Sequence, residues 1–441
     1  MRARTLVVAK TGSEVWRASA ELDDEGYPTI TAETHASAII AAKDLRIDAV
    51  VIDASLPELD PSVLCASIRS QCAPRLVPVL VIGPRDRVSH LDLGSVTSAL
   101  VTPAHPKQLL NRVKSLLRTT IIEREIKLRA ETFQERGVKL TLPGKEIYNA
   151  PFRILFCGEA SPAFMGLSAA LSSAGVEVTA AFTAYTAFDY LHEHDFDAVV
   201  LGASDSPKQA YGVVSGMRRN SRHFHVPALL LAEAGFEDTS EAFERDFDDI
   251  ISAKSPLEDM RARVLELARD CRHKAALKTA FEGTKTSGLM DAGTGLFTKE
   301  VFATHLLRLV KSARTNEQPL SLVTMRLVET PAVARARASG ALDRALPQIG
   351  QMMGRLLRTE DTAGRLSFDV FAMALPSTPL LPARLAADRV TSVIDCTAFE
   401  NAQDEPFQVA FHIGVAELLP SETAEKFLAR TVANMGRRAA V

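Results

Sequence analysis

Short apolar runs alternate with amphipathic stretches over the first 285 residues. Leu6–Ala9, Val50–Ile52, Val79–Ile82 and Ala99–Val101 are each short and almost wholly apolar. Runs of this kind predict parallel strands buried on both faces. Residues 107–136 carry Leu109, Val113, Leu117 and Ile121 at i+4 spacing, which predicts a long helix. The polar stretch 137–151 predicts a linker, and 257–285 a second connecting helix. From about residue 286 the pattern changes. A strand is predicted over 320–328, a helix over 342–357, a hairpin over 365–376, a helix near 380–395 and a strand over 407–416. That order predicts an α+β domain with antiparallel pairing.

The strand-like runs recur. DAVVIDAS begins at Asp48 and DAVVLGAS at Asp197, 149 residues later. VPVLVIGP at Val77 and VPALLLAE at Val226 share that offset, as do Leu6 and Leu155. Three segments in one register indicate two copies of one domain, 1–136 and 152–285, separated by the linker. Five βα units in each copy predict doubly wound (βα)5 sheets, whose chemistry sits at the carboxyl ends of the strands.

Composition adds limits. The chain has 441 residues, 46% of them hydrophobic and 24% charged, with a formal charge of −3. This is a globular balance without a chain-wide nucleic-acid or membrane footprint. Cys65, Cys72, Cys157, Cys271 and Cys396 form no C-x-x-C pair, which predicts neither a disulfide framework nor a zinc site and points to a reducing cytosol. No run approaches the length of a membrane span, and the opening MRARTLVVAK is too short for a secretory h-region. Ten histidines include the i, i+2 pairs His192/His194 and His223/His225, but no third ligand accompanies either pair.

DAVVIDASLPELD resembles the phosphoacceptor segment of response-regulator receiver domains, with Asp53 at the end of the third strand. The resemblance implies an acidic pair after the first strand, a hydroxyl residue after the fourth and a Lys after the fifth. Here Ala9 and Lys10, Gly83, and Thr102-Pro103 stand at those places. Asp53 is thus a candidate phosphoacceptor without its supports. Lys10 either lies beside it in the metal's place or faces solvent. In the second copy Gly202 replaces the carboxylate, Gly158 and Glu159 the acidic pair, and Ala232 the hydroxyl residue, while Lys254 lies one place past the Lys register.

The third segment resembles the GGDEF (nucleotidyl-cyclase-like) family. Asp291-Ala-Gly-Thr-Gly295-Leu matches the family's opening D-x-L-T-G-L, PLSLVTMRLVE its first strand and RLSFDVFAMALP its signature hairpin. The whole chain resembles a receiver–receiver–GGDEF regulator, with the third domain at 286–441. The cyclase reaction joins two GTP molecules and needs metals held by carboxylates. Arg326 and Val328 stand at the strand acids. The hairpin reads Ser367-Phe368-Asp369-Val370-Phe371, so Asp369 stays while the two glycines become Ser and Phe. Asp343 matches an Asp near the guanine contact, and MGRRAAV carries no terminal Lys. These departures imply a vestigial cyclase site with no catalytic residue, no cofactor and no metal.

Arg358-Thr-Glu-Asp361 is an R-x-x-D six residues before Ser367, and ADR at 387–389 parallels the family's A-E-R. The resemblance implies a cyclic di-GMP site made by Arg358, Asp361 and Arg389. An Arg fork can hold guanine O6 and N7, and a carboxylate can accept guanine N–H groups. The pattern alone is weak, since Arg245-Asp-Phe-Asp248 repeats it in the second copy. Against ligand binding stands an exposed ion pair of little worth.

The reading that follows is a non-enzymatic cyclic di-GMP effector and scaffold. The degenerate branch of PleD-like response regulators, which the chain resembles, implies a cytoplasmic protein recruited to a cell pole. It also implies partners in a proteolysis adaptor pathway (RcdA, CtrA and ClpXP), a homodimer through the receiver domains, and no nucleic-acid or membrane partner. Helix 107–136 is either a dimer stem or the last receiver helix running on. An active diguanylate cyclase and a ligand-independent scaffold are the alternatives.

Overall fold

Two five-stranded parallel sheets and one four-stranded antiparallel sheet organise the computed structural model. It describes residues 3–88, 97–140, 144–203, 207–220, 222–233, 239–282, 289–400 and 406–436. The expected boundary at 285/286 and the terminal RRAAV lie outside the described residues.

The first sheet contains β1 (Thr5–Val8), β2 (Thr29–Ala32), β3 (Ala49–Asp53), β4 (Val79–Gly83) and β5 (Thr97–Val101), in the order β2-β1-β3-β4-β5. Its helices are α1 (Glu14–Ala18), α2 (Ala20–Asp24), α3 (His35–Asp44), α4 (Pro61–Cys72), α5 (Arg85–Val88) and α6 (Pro106–Gln134). The second contains β6 (Arg153–Cys157), β7 (Glu177–Ala181), β8 (Ala198–Ala203), β9 (Ala228–Ala232) and β10 (Asp249–Ser252), in the order β10-β9-β8-β6-β7. Around it run α7 (Pro162–Ser172), α8 (Ala184–Glu193), α9 (Lys208–Arg219), α10 (Thr239–Glu244) and α11 (Leu257–Glu282). Read from the other edge, the two orders are the same.

The 149-residue offset is structural. Val50 pairs with Val79, and Val199 with Ala228, at the same place in each sheet. Asp48 accepts the Arg4 amide at 2.9 Å, and Asp197 accepts that of Arg153 at 2.8 Å. Thr34 caps α3 and Thr183 caps α8, each from the Ncap position where a hydroxyl satisfies an orphan amide. The wholly buried β3, β4 and β9 carry the apolar runs that the pattern picked out. The half-exposed TITA of β2 is an edge strand, and its polar alternation hid it.

The two parallel sheets share one unit, Arg2–Thr120 with Pro143–Ala276. Within it the early turns of α6 meet α11 and β10. Buried Arg112 faces Glu266 at 3.5 Å and Asp270 at 3.4 Å, Gln108 donates to Asp249, Glu266 accepts the Ala99 amide of β5 at 3.2 Å, and the rings of His105 and Phe243 stack at 4.8 Å. The last strand and helix of each copy therefore face each other inside one chain.

The second unit, Ile121–Leu142 with Leu277–Val441, holds the antiparallel sheet. Its strands β11 (Leu320–Leu327), β12 (Thr362–Arg365), β13 (Val370–Pro376) and β14 (Phe411–Glu417) run in the order β12-β13-β11-β14. Helices α12 (Lys299–Thr315), α13 (Pro331–Ala338), α14 (Ala341–Leu356), α15 (Leu380–Asp395) and α16 (Ala424–Ala433) cover it. One core layer gathers Met325, Phe371, Ile349 and Val390, and the other gathers Phe302, Leu322, Phe427 and Phe133 of α6. The strand expected over 407–416 starts only at Phe411. Phe407 instead forms an isolated bridge with Phe399. Gly350 of α14 admits the 291–295 loop, because a Cβ there would lie 2.0 Å from the Thr294 carbonyl oxygen. Among the described residues no helix is long and apolar enough to cross a membrane.

Candidate functional site

The R-x-x-D turn joins the end of α14 to β12. The Arg358 amide donates to Asp361 Oδ2 at 3.0 Å, and the Asp361 amide donates back to the Arg358 carbonyl at 3.1 Å. This reciprocal pair fixes the turn through the Arg358 backbone and the Asp361 carboxyl and amide, and it leaves the exposed Arg358 guanidinium without a hydrogen bond among the described residues. Asp361 Oδ1 likewise has no partner there. Arg389, exposed on α15, donates to the Leu356 carbonyl at 2.9 Å and is thereby held at the end of α14. The structure thus brings all three expected residues to one corner. The other R-x-x-D is spent internally: Arg245 binds Glu241 at 2.8 Å and Asp248 binds Arg218 at 2.7 Å.

Burial pushes the Asp361 carboxyl up to about 7, with the Arg358 amide opposing and the charge of Glu360 adding to the rise. The unfolded chain releases this proton near the ordinary value of ~3.9. Between roughly pH 4 and pH 7 the folded state keeps a proton that the unfolded state has lost, so stability falls as pH rises. Asp361→Asn removes that penalty and still offers an acceptor to the Arg358 amide. The variant is expected to exceed wild type by ~1–2 kcal/mol at about pH 8, after allowance for solvent screening, and to match it near pH 4. Thermal melts at the two pH values check this; an equal gap at both would refute it.

The hairpin that follows carries the expected vestigial residues. Arg326 of β11 is half exposed, with its Nε 3.8 Å from Asp369 Oδ2. Ser367 Oγ donates to Asp369 Oδ1 at 2.7 Å. Val370 pairs with Arg326 and Phe371 with Met325 across the ladder, and both Val370 and Phe371 are buried, so these two are core residues. Phe368 is 63% exposed, and the Arg337 guanidinium lies over its ring at 4.8 Å. Arg365 ties the hairpin to the 291–295 loop, binding Asp291 at 3.2 Å and the Ser367 and Phe368 carbonyls at 3.2 and 3.1 Å.

Asp53 is 3% exposed at the end of β3, and its Oδ1 accepts the Ser55 amide at 2.9 Å. Lys10 is exposed, and no ion pair joins it to Asp53 among the described residues. Arg87 clamps the following loop by donating to the Ala54 and Leu59 carbonyls at 3.1 and 2.8 Å. Gly83 packs directly on Ala54, where an added Cβ would sit 2.8 Å from the Ala54 Cβ. Gly83→Thr would restore a hydroxyl side chain only by overpacking this contact. It is expected to cost ~1–3 kcal/mol, read as a lowered Tm; an unchanged Tm would show that the loop yields. In the second copy the Phe156 ring would lie 3.3 Å from a Cβ at Gly202, so that strand end is closed by an aromatic ring.

Comparison with known proteins agrees with this layout. Residues 288–437 match the family described as "Diguanylate cyclase, GGDEF domain". Response regulator PleD of Caulobacter vibrioides is 23% identical over 439 residues, covering 98% of this chain and 95% of PleD. The chain is thus similar to a PleD-type response regulator along its whole length, and its 288–437 segment is a GGDEF domain. The PhoP transcriptional regulatory protein of alkaline phosphatase synthesis in Bacillus subtilis is 31% identical over 126 residues, 28% of this chain and 51% of PhoP. Among solved structures, the GGDEF domain of DgcB from Caulobacter crescentus, in complex with c-di-GMP, aligns with a TM-score of 0.31 at 17% identity. It covers 33% of this chain and 85% of that one. The GGDEF domain of FimX from Pseudomonas aeruginosa gives 0.31 at 24% identity, over 34% and 91%.

The divalent cation that cyclase chemistry implies does not fit the donors of this GGDEF domain. Asp369 already accepts the Ser367 hydroxyl and faces a guanidinium, whose charge repels a cation. No cluster of three or more His, Cys, Asp or Glu side chains is placed to hold a metal among the described residues.

Sequence reasoning missed a buried polar group behind the R-x-x-D turn: Glu125 and Arg129 of α6, His305 of α12 and Thr362 of β12. A signal existed. Ile122, Ile126 and Phe133 are buried on α6, and helical spacing puts Glu125 and Arg129 on that same inward face. Charged residues on an apolar stripe call for buried partners.

Proposed function

We propose that the protein is a non-catalytic cyclic di-GMP effector, in the manner of the PopA-like degenerate regulators, binding the dinucleotide through Arg358, Asp361 and Arg389. The observation that carries this reading is the R-x-x-D corner, where the exposed Arg358 guanidinium, without a hydrogen bond among the described residues, stands beside a second Arg on a turn fixed by the Asp361 carboxyl. Two cations suit the two phosphates, and an Arg fork with an adjacent carboxylate suits guanine. The GGDEF match and the c-di-GMP named in the DgcB structure support the ligand class.

In this reading the hairpin is vestigial and Asp53 is a residual carboxylate. Docking to a proteolysis adaptor pathway and recruitment to a pole belong to the same proposal. So does a homodimer through the receiver-like sheets, which would use faces other than those already buried between the two copies. Calorimetric titration of the purified full chain with cyclic di-GMP tests the core of the reading. Micromolar or tighter binding supports it; absence of binding by folded protein overturns it and leaves the scaffold.

A further inference from the structure

The turn that carries the proposed ligand residues is held from behind by a helix. Arg129 Nη2 donates to the Asp361 carbonyl and to Thr362 Oγ1, both at 2.6 Å. Its Nε donates to Glu125 Oε1 at 2.7 Å. The same carboxylate oxygen accepts the Thr362 hydroxyl at 3.0 Å and lies 2.8 Å from His305 Nε2. His305 Nδ1 in turn lies 3.1 Å from Thr132 Oγ1, back on α6. The side chains of Glu125 and His305 are each 1% exposed, and that of Arg129 is 11% exposed. Three elements, α6, α12 and β12, therefore converge on one carboxylate.

We propose that Glu125 and Arg129 are positioning residues of the R-x-x-D site, so that cyclic di-GMP binding and docking of the 121–134 segment of α6 are linked. This rests on the ligand reading of the preceding subsection. Asp361 joins the two sides: its carboxylate caps the Arg358 amide, while its carbonyl is held by Arg129. Moving the helix segment would free the Asp361–Thr362 backbone and strip a buried carboxylate of its partners. Glu125 Oε1 takes every hydrogen bond of this carboxylate while Oε2 is buried without a partner among the described residues, so undocking the helix segment would take away both partners outside α6, which opposes partial displacement. A ligand gripping Arg358 and Asp361 prefers the state in which that backbone is set, and by reciprocity it stabilises the docked helix.

The test uses the full chain. Calorimetry first establishes cyclic di-GMP binding by wild type, and hydrogen exchange then follows amides 121–134 with and without saturating ligand. The expected result is slower exchange in that segment on ligand binding. Arg129→Lys, which keeps the charge but loses the fork, is expected to weaken affinity about tenfold and to remove most of that protection. Exchange in β11 and β13 monitors the fold of the variant. Binding by wild type with unchanged exchange over 121–134 overturns the linkage while leaving the ligand reading intact, and it needs no variant to fold. Unchanged affinity and protection in a folded Arg129→Lys protein also overturn it. No binding by wild type overturns the ligand reading itself, and the linkage with it.

Discussion

Arg358→Ala is expected to weaken cyclic di-GMP binding by ~30–150-fold, equivalent to about 2–3 kcal/mol, while leaving the fold intact. The side chain is exposed and donates no hydrogen bond to the described residues, so its removal leaves no buried group unpaired. The turn survives because its two bonds use the Arg358 backbone, which Ala also provides. A guanidinium that bonds none of the described residues keeps its five donors for a ligand. Calorimetry beside a thermal melt separates the outcomes. Lost affinity at constant Tm assigns the site, whereas retained affinity moves the ligand elsewhere.

The second large effect is an absence of chemistry. Purified protein supplied with GTP and Mg²⁺ is expected to release no cyclic di-GMP. Attack of a 3′-hydroxyl on an α-phosphate develops charge that the family neutralises with metal ions, and here the candidate metal position pairs Asp369 with Arg326 at 3.8 Å. Arg326→Asp is expected to remain inactive as well, because Ser367 and Phe368 still occupy the glycine positions of the hairpin. Phe368 is held under the Arg337 guanidinium. Chromatography of the reaction products decides the matter. Any cyclic di-GMP formed by wild type would return the chain to the active cyclases.

Asp361 and its surroundings show how far the R-x-x-D corner differs from a surface ion pair. A solvated Arg–Asp pair would keep its carboxyl at or below the ordinary range. Burial instead lifts Asp361 to about 7, against the pull of the Arg358 amide. Burying such a carboxyl costs stability, and Asp361 is tied on both sides: its carboxyl accepts the Arg358 amide and its carbonyl accepts Arg129 of α6.

The sequence alone determined the repeat and the class of each sheet. Apolar runs such as Val79–Ile82 can only sit between two covering layers, and an exact 149-residue offset fixes which strands correspond. The resemblance of the hairpin to the GGDEF family implied Arg358, Asp361 and Arg389, placed by their positions relative to that hairpin. The tertiary structure decided what those residues are joined to. Glu125 is 180 residues from His305 and 237 from Thr362, and no local period links them. Their meeting depends on α6 packing beside β12, through Phe133 against Phe297. Likewise, Gly83 looked like a lost hydroxyl in the sequence, while the fold shows that Ala54 packs in the space a side chain would need. Periodicity records which face of an element is buried. Which partner buries it is set by packing among elements far apart in the chain, and that packing only the folded chain contains.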